Sequence, residues 1–187
     1  MLDQWFRKNQ TQSQAETLFE ALNAAARRPQ FYTGGGAPDT VEGRFEVLAI
    51  HVFLAIRRLR LDAPASDRLS IALQEVFFRR LDHSLRELGV GDLSIGRKIR
   101  GLAEAFYGRA AAYEKAISNG GDALAAALTR NVYESADPGR ARLLAAYVAQ
   151  ADHRIGATPP EFLIEAIGGL GALCDSIFGR ECDEQRP

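Results

Sequence analysis

Residues 47–56 read VLAIHVFLAI, ten positions interrupted by one polar side chain, His51. Within a helix over 42–61 this run places apolar side chains on nearly every side, and such a helix has to be coated all round by other elements. It is too short to cross a bilayer, so the coat has to be protein. The polar residues along it fall into two seams: Arg44, His51 and Arg58, spaced by seven, and Glu46 with Arg57 on another line. A histidine in such a run reads as hydrogen-bonded inside the fold. Alternatively, the first seam faces a partner, with Arg44 and Arg58 holding its carboxylates or backbone carbonyls. No second ligand stands at i+3 or i+4, so the pattern does not indicate metal or haem ligation.

The second organising stretch is 81–113, LDHSLRELGVGDLSIGRKIRGLAEAFYGRAAAY. Apolar periodicity stops after Leu88 and resumes at Ile95. Gly89 can supply the left-handed residue that ends one helix, and Ser94 or Asp92 can cap the next. Ile95, Ile99, Leu102, Phe106, Ala110, Tyr113 and Ile117 then form one apolar stripe. On the opposite side Gly101, Ala105, Gly108 and Ala112 fall within about 60° of one another. Each mid-helix glycine costs roughly 1 kcal/mol relative to alanine, which points to close packing on this strip. Either another helix of the same domain fills it, or it is a groove for a partner's helix. Arg97 and Lys115 flank the strip, with Lys98 and Arg109 further round.

The other elements are helical too. The segment before Phe31 reads as one helix, with a capping-box pattern at Ser13 and Glu16. Leu2, Trp5 and Phe6 precede it, either as a turn packed on the body or as a tail, and 1–12 is expected as a mobile arm. Gly34-Gly35-Gly36 marks a loop. No Lys-Ser/Thr follows and no strand precedes it, so it is not a phosphate-binding loop. Asp39 or Thr40 caps the central helix, and Ser66 caps a helix carrying Leu69, Leu73, Phe77 and Leu81. Asp137-Pro138 opens another helix, and Thr158-Pro159-Pro160-Glu161 reads as the start of a last one, in which Gly168, Gly169 and Gly171 allow close packing or a kink. No stretch alternates with period two. The expectation is an all-α single domain, 1–187, of about seven helices, with a frayed tail at 180–187.

For 187 residues with a formal net charge of −1, general nucleic-acid attraction is not indicated. Charge is nonetheless uneven: 44–115 holds 13 Lys and Arg against 9 Asp and Glu, a basic bias that suits a solvated helical face, ribosomal RNA or anionic lipid. Cys174 and Cys182 have neither redox nor zinc spacing, and read as reduced thiols. The opening MLDQWFRKNQ is no secretory signal and no run is long enough to span a membrane, so a cytoplasmic location is expected, with any membrane contact peripheral. No nucleophile, base and orienting group come together in sequence, so neither an enzyme, a metal site nor a cofactor is indicated.

The run LRELGVGDLSIGRKIRGLAEAFYGRAAAY, with a second block FYTGGGAPDTVEGRFEVLAIHVFLAIRRL at 31–59, resembles the ubiquinol–cytochrome c chaperone family. The resemblance implies a helical, non-enzymatic chaperone for cytochrome b in assembly of the bc1 complex, without catalytic residues. Its mitochondrial members work with a small partner protein and contact the ribosome near the tunnel exit. The length and the lack of a transit peptide point to a bacterial type. On this reading Gly101, Ala105 and Gly108 admit a client helix while Arg44, Arg97 and Arg109 bind its polar loops, and His51 and Arg58 complete the seam. The rival expectations are a haem or quinone carrier with His51 at its pocket wall, and a membrane-surface adaptor using Trp5 and Phe6.

Overall fold

The computed structural model describes residues 2–133 and 137–179, with side chains described from Asn9 onward. Leu2, Trp5 and Phe6 as side chains, Cys182 and the tail at 180–187 lie outside the described residues. Helix α3 (Val41–Leu61) is the axis its sequence demands, buried from Gly43 to Leu59 except at the exposed Arg44 and the half-buried Leu48 and Arg57. Its start is set by Thr40, whose side-chain oxygen accepts from the Gly43 N–H at 3.1 Å.

Around α3 stand α1 (Leu2–Ala26), α4 (Asp67–Glu87), α5 (Asp92–Ser118), α6 (Gly121–Val132) and α7 (Pro138–Gly156). Helix α1 lies along α4, α4 and α6 flank α5, and α7 packs on α3 and α6. The short α2 (Gln30–Thr33) and the last helices, α8 (Leu163–Gly168) and α9 (Leu170–Phe178), close one end of the assembly. There Phe31 packs on Phe178 at 5.3 Å between ring centroids and edge-on to Tyr147 at 4.9 Å. Among the described residues there is no strand and no helix long and apolar enough to cross a membrane.

Several expected boundaries move, each for a local reason. Ser13 caps nothing, because α1 is already helical from Leu2; its carbonyl instead accepts from the Thr17 hydroxyl. Residues 2–12 therefore continue α1. Helix α5 begins at Asp92, one turn earlier than a Ser94 cap would allow, and the Ser94 hydroxyl donates back to the Gly91 carbonyl. Gly89, at φ 80°, does end the preceding helix. The glycines at 34–36 serve packing: a Cβ at Gly34 would sit 2.5 Å from the Phe178 carbonyl oxygen.

Thr158 does not cap the last segment either; its hydroxyl donates to the Arg154 carbonyl and a 3-10 turn, Pro160–Phe162, intervenes. The segment then splits at Gly169, whose carbonyl accepts from the Arg154 guanidinium at 3.0 Å. Asp137 behaves as expected, accepting from the Arg140 N–H ahead of Pro138.

His51 is 1% exposed, in the middle of α3. Its Nδ1 lies 2.7 Å from the Val47 carbonyl, which can only accept, so Nδ1 carries the proton and Nε2 accepts from the Tyr147 hydroxyl at 2.8 Å. Burial lowers its pKa to about 4, partly offset by the bond to Val47. An unfolded chain protonates this ring first, so its stabilising share is complete above about pH 6.5 and is lost as pH falls toward 4. Tyr147→Phe leaves Nε2 buried without a donor and is expected to cost about 1–3 kcal/mol in urea unfolding at pH 7. A loss below a few tenths would show that the pair contributes nothing.

Candidate functional site

Helix α5 meets α4 through one edge of its apolar stripe, Phe106 packing on Phe77 at 5.2 Å between centroids. The expectation that another helix of the chain fills the small-residue strip is overturned. A Cβ at Gly101 or at Gly108 would meet nothing within 4 Å. Beside the strip runs an open groove of 720 Å³, with Gly101, Leu102 and Ala105 along α5. Its far walls are the end of α1 (Asn23, Ala26, Arg27), the first turns of α3 (Val41, Phe45, Leu48) and the last turns of α4 (Leu81, Leu85, Leu88). Val41 and Leu88 are exposed at its mouth, so the apolar lining reaches solvent.

The polar groups are arranged in two tiers. Arg27 and Lys98 are exposed at the edge and make no ion pair among the described residues. Arg44 is tied to Asp39 at 2.7 Å and lies over the Tyr32 ring at 5.3 Å. Deeper in, the buried Glu46 carboxylate sits 2.7 Å from Arg109 Nε, and the Arg109 guanidinium also covers the Phe45 ring at 5.9 Å. Burial pushes the Glu46 carboxyl up to about 7, a rise the adjacent guanidinium restrains.

Of the eight residues singled out in the sequence, Arg44, Gly101, Ala105 and Arg109 line this groove together. Gly108 and Arg97 are exposed on α5 but outside its lining. His51 and Arg58 are a correction: both are buried. Arg58 Nε donates to the Thr158 carbonyl at 2.7 Å, and its other arm pairs with Asp62. The seam thus turns inward from His51 to Arg58, because α3 is coated on that side by α7 and the segment after it, while Arg44 stays exposed. His51 is not placed at the wall of a carrier pocket among the described residues: the ring lines neither the groove nor the smaller 320 Å³ hollow beside Phe53, Ile56 and Phe106. Among the described residues no three His, Cys, Asp or Glu are placed to hold a metal. Cys174 is fully buried, which pushes its thiol up to about 12.

Sequence reasoning missed Glu46 as the inner charge and the α1 and α4 walls. The first had a signal, a carboxylate set directly between the apolar Phe45 and Val47. The walls had none, since they depend on how α1 and α4 dock.

The sequence pattern of the ubiquinol–cytochrome C chaperone family matches residues 34–168, well over half of the chain. The chain belongs to that family. The matched span holds α3 to α7, and hence every groove wall except the α1 end and Tyr32. Among solved structures, the crystal structure of the Cbp3 homolog from Brucella abortus superposes with a TM-score of 0.75 at 39% identity, covering 90% of this chain and 94% of that one. A curated relative, the ubiquinol-cytochrome-c reductase complex assembly factor 1 of Xenopus laevis, is 25% identical over 121 residues, 64% of this chain. The chain spans 60% of that relative's length.

Proposed function

We propose that this member of the family is a non-enzymatic assembly chaperone that holds newly made cytochrome b during assembly of ubiquinol–cytochrome c reductase. The observation that carries the reading is the groove: apolar walls, Gly101 and Ala105 where a second backbone can approach closely, and a cationic edge. A transmembrane helix waiting to be built into a complex is apolar all round and has short polar ends. Small residues let its backbone come near α5, while Arg27, Arg44 and Lys98 meet carbonyls or carboxylates at its end. The client is made by ribosomes and ends in a membrane, so the chaperone works close to the tunnel exit and at the bilayer surface, as a peripheral protein.

The test places a photo-crosslinking amino acid at Ala105, and separately at the exposed Arg97, in cells that need the reductase. Ala105 is expected to capture cytochrome b and Arg97 to capture it far less. Cells lacking the protein are expected to lose the b-type haem band of the reductase in dithionite-reduced spectra, other cytochromes remaining. An intact band under conditions that require the complex would overturn the assembly role. Capture at Arg97 but not Ala105 would overturn the groove.

A further inference from the structure

The turn between α4 and α5 carries two large apolar side chains in open water. Leu93 is 102% exposed and Leu88 is 62% exposed. A Cβ at Gly89, Gly91 or Gly96 would touch nothing within 4 Å, so the turn is open to solvent, with Leu88 at its base also standing in the groove mouth. Isolated exposed leucines are ordinary, but two at the turn of one helical hairpin form an apolar cap.

The charges around the cap are sorted. Two of its acidic groups are neutralised from within, since Arg86 pairs with both Asp82 and Asp92, while Glu87 lies 3.3 Å from His83. Its cations are left free. Arg97, Lys98 and Arg100, one to two turns along α5, are exposed and make no ion pair among the described residues. At 100° per residue Arg97 and Arg100 lie within about 40° of Leu93, while Lys98 lies about 140° round, on the groove side with Leu88, so each leucine has a cation on its own face.

We propose that this turn is a lipid-contact tip, which seats Leu88 and Leu93 at the headgroup–acyl boundary of an anionic bilayer while Arg97, Lys98 and Arg100 meet its phosphates. The pattern of apolar tip and basic collar is what a bilayer surface requires, since apolar contact and charge attraction add there. A nucleic acid would use the three cations but gain nothing from two protruding leucines. The inference rests on the peripheral placement proposed above and names the surface that makes it. It also sets the mouth of the groove, where Leu88 stands, next to the membrane.

Flotation of the full chain with phosphatidylcholine vesicles, with and without phosphatidylglycerol, tests it. The protein is expected to float with the anionic vesicles, and much less at high salt. Leu88→Ser with Leu93→Ser is expected to lower the partition coefficient at least about tenfold. Reversing Arg97, Lys98 and Arg100 to Glu is expected to lower it about a hundredfold or more. All five side chains are exposed, so circular-dichroism melts should coincide with the parent's. Equal flotation of the leucine variant overturns the tip while leaving peripheral placement standing. No flotation of the parent overturns both, and retention on ribosomal RNA without flotation identifies the collar as an RNA contact instead.

Discussion

Gly101→Leu is expected to give a protein that melts higher than its parent and no longer supports reductase assembly. Leucine is a better helix former than glycine by roughly 1 kcal/mol, and the position is open, so the fold gains. For a chain of this size that gain corresponds to a rise of about 2–4 °C in Tm. On the proposed function, the same side chain occupies the place where a client backbone has to come close. Overpacking a contact by a few methylenes costs about 1–3 kcal/mol, so client affinity is expected to fall by roughly five- to a hundredfold. Gly108→Leu is the control, on the same helix and equally open, but outside the groove. It should melt higher and leave assembly intact. If both variants assemble the reductase normally, the groove holds no client. If both fail, the outer face of α5 is the contact.

The second large effect concerns the inner charge pair. Arg109→Leu strands the Glu46 carboxylate in an apolar surround and is expected to cost about 3–5 kcal/mol at pH 8. At pH 5.5 the cost should shrink, because the stranded carboxyl takes a proton. Adding Glu46→Gln should recover most of the loss, since a neutral amide tolerates the site. Urea unfolding of the two single variants and the double at both pH values measures this. A loss independent of pH and of Glu46 would mean that Arg109 acts through packing on Phe45 alone.

The parent has its own pH signature. Glu46, raised to about 7 from an ordinary 4.5, holds a proton that the unfolded chain has given up. Its effect is therefore a stability that falls as pH rises from about 4.5 to 7 and is level above. His51 acts in the opposite direction over nearly the same window, its contribution vanishing as pH falls from about 6.5 to 4. The two slopes offset each other in the parent. Glu46→Gln should unmask the histidine, leaving stability that climbs with pH by up to about 3 kcal/mol.

What could be read from the sequence was what local chemistry decides. The burial of α3, the cap at Thr40, the left-handed stop at Gly89 and the Asp137-Pro138 start follow from residues within a few positions of one another. Two of the misplaced boundaries share a cause: Ser94 and Thr158 each had an alternative partner in a preceding carbonyl, and hydroxyls bond either way, whereas Ser13 lies inside a helix that already runs from Leu2. The groove was half legible. Its α5 side showed as small residues at helical spacing. The opposite walls became visible only with α1 and α4 in place, and the inward turn of His51 and Arg58 required knowing where α7 docks.

Those walls also bear on timing. Helix α1 is fastened to α4 by Arg79 and Arg80 with Glu16 and Glu20, and sixty residues of chain separate Arg80 from Glu20. Closing so long a loop is an entropic cost met only once α4 has been made and the core gathers. A chain synthesised only as far as Leu88 still lacks Gly101, Ala105 and Arg109, and with them the α5 wall of the groove. On the proposed function, the capacity to hold a client therefore arrives late in the protein's own maturation. If the proposed function holds, an unfinished copy is thereby kept from seizing a client and drawing it into a tangle of two incomplete chains.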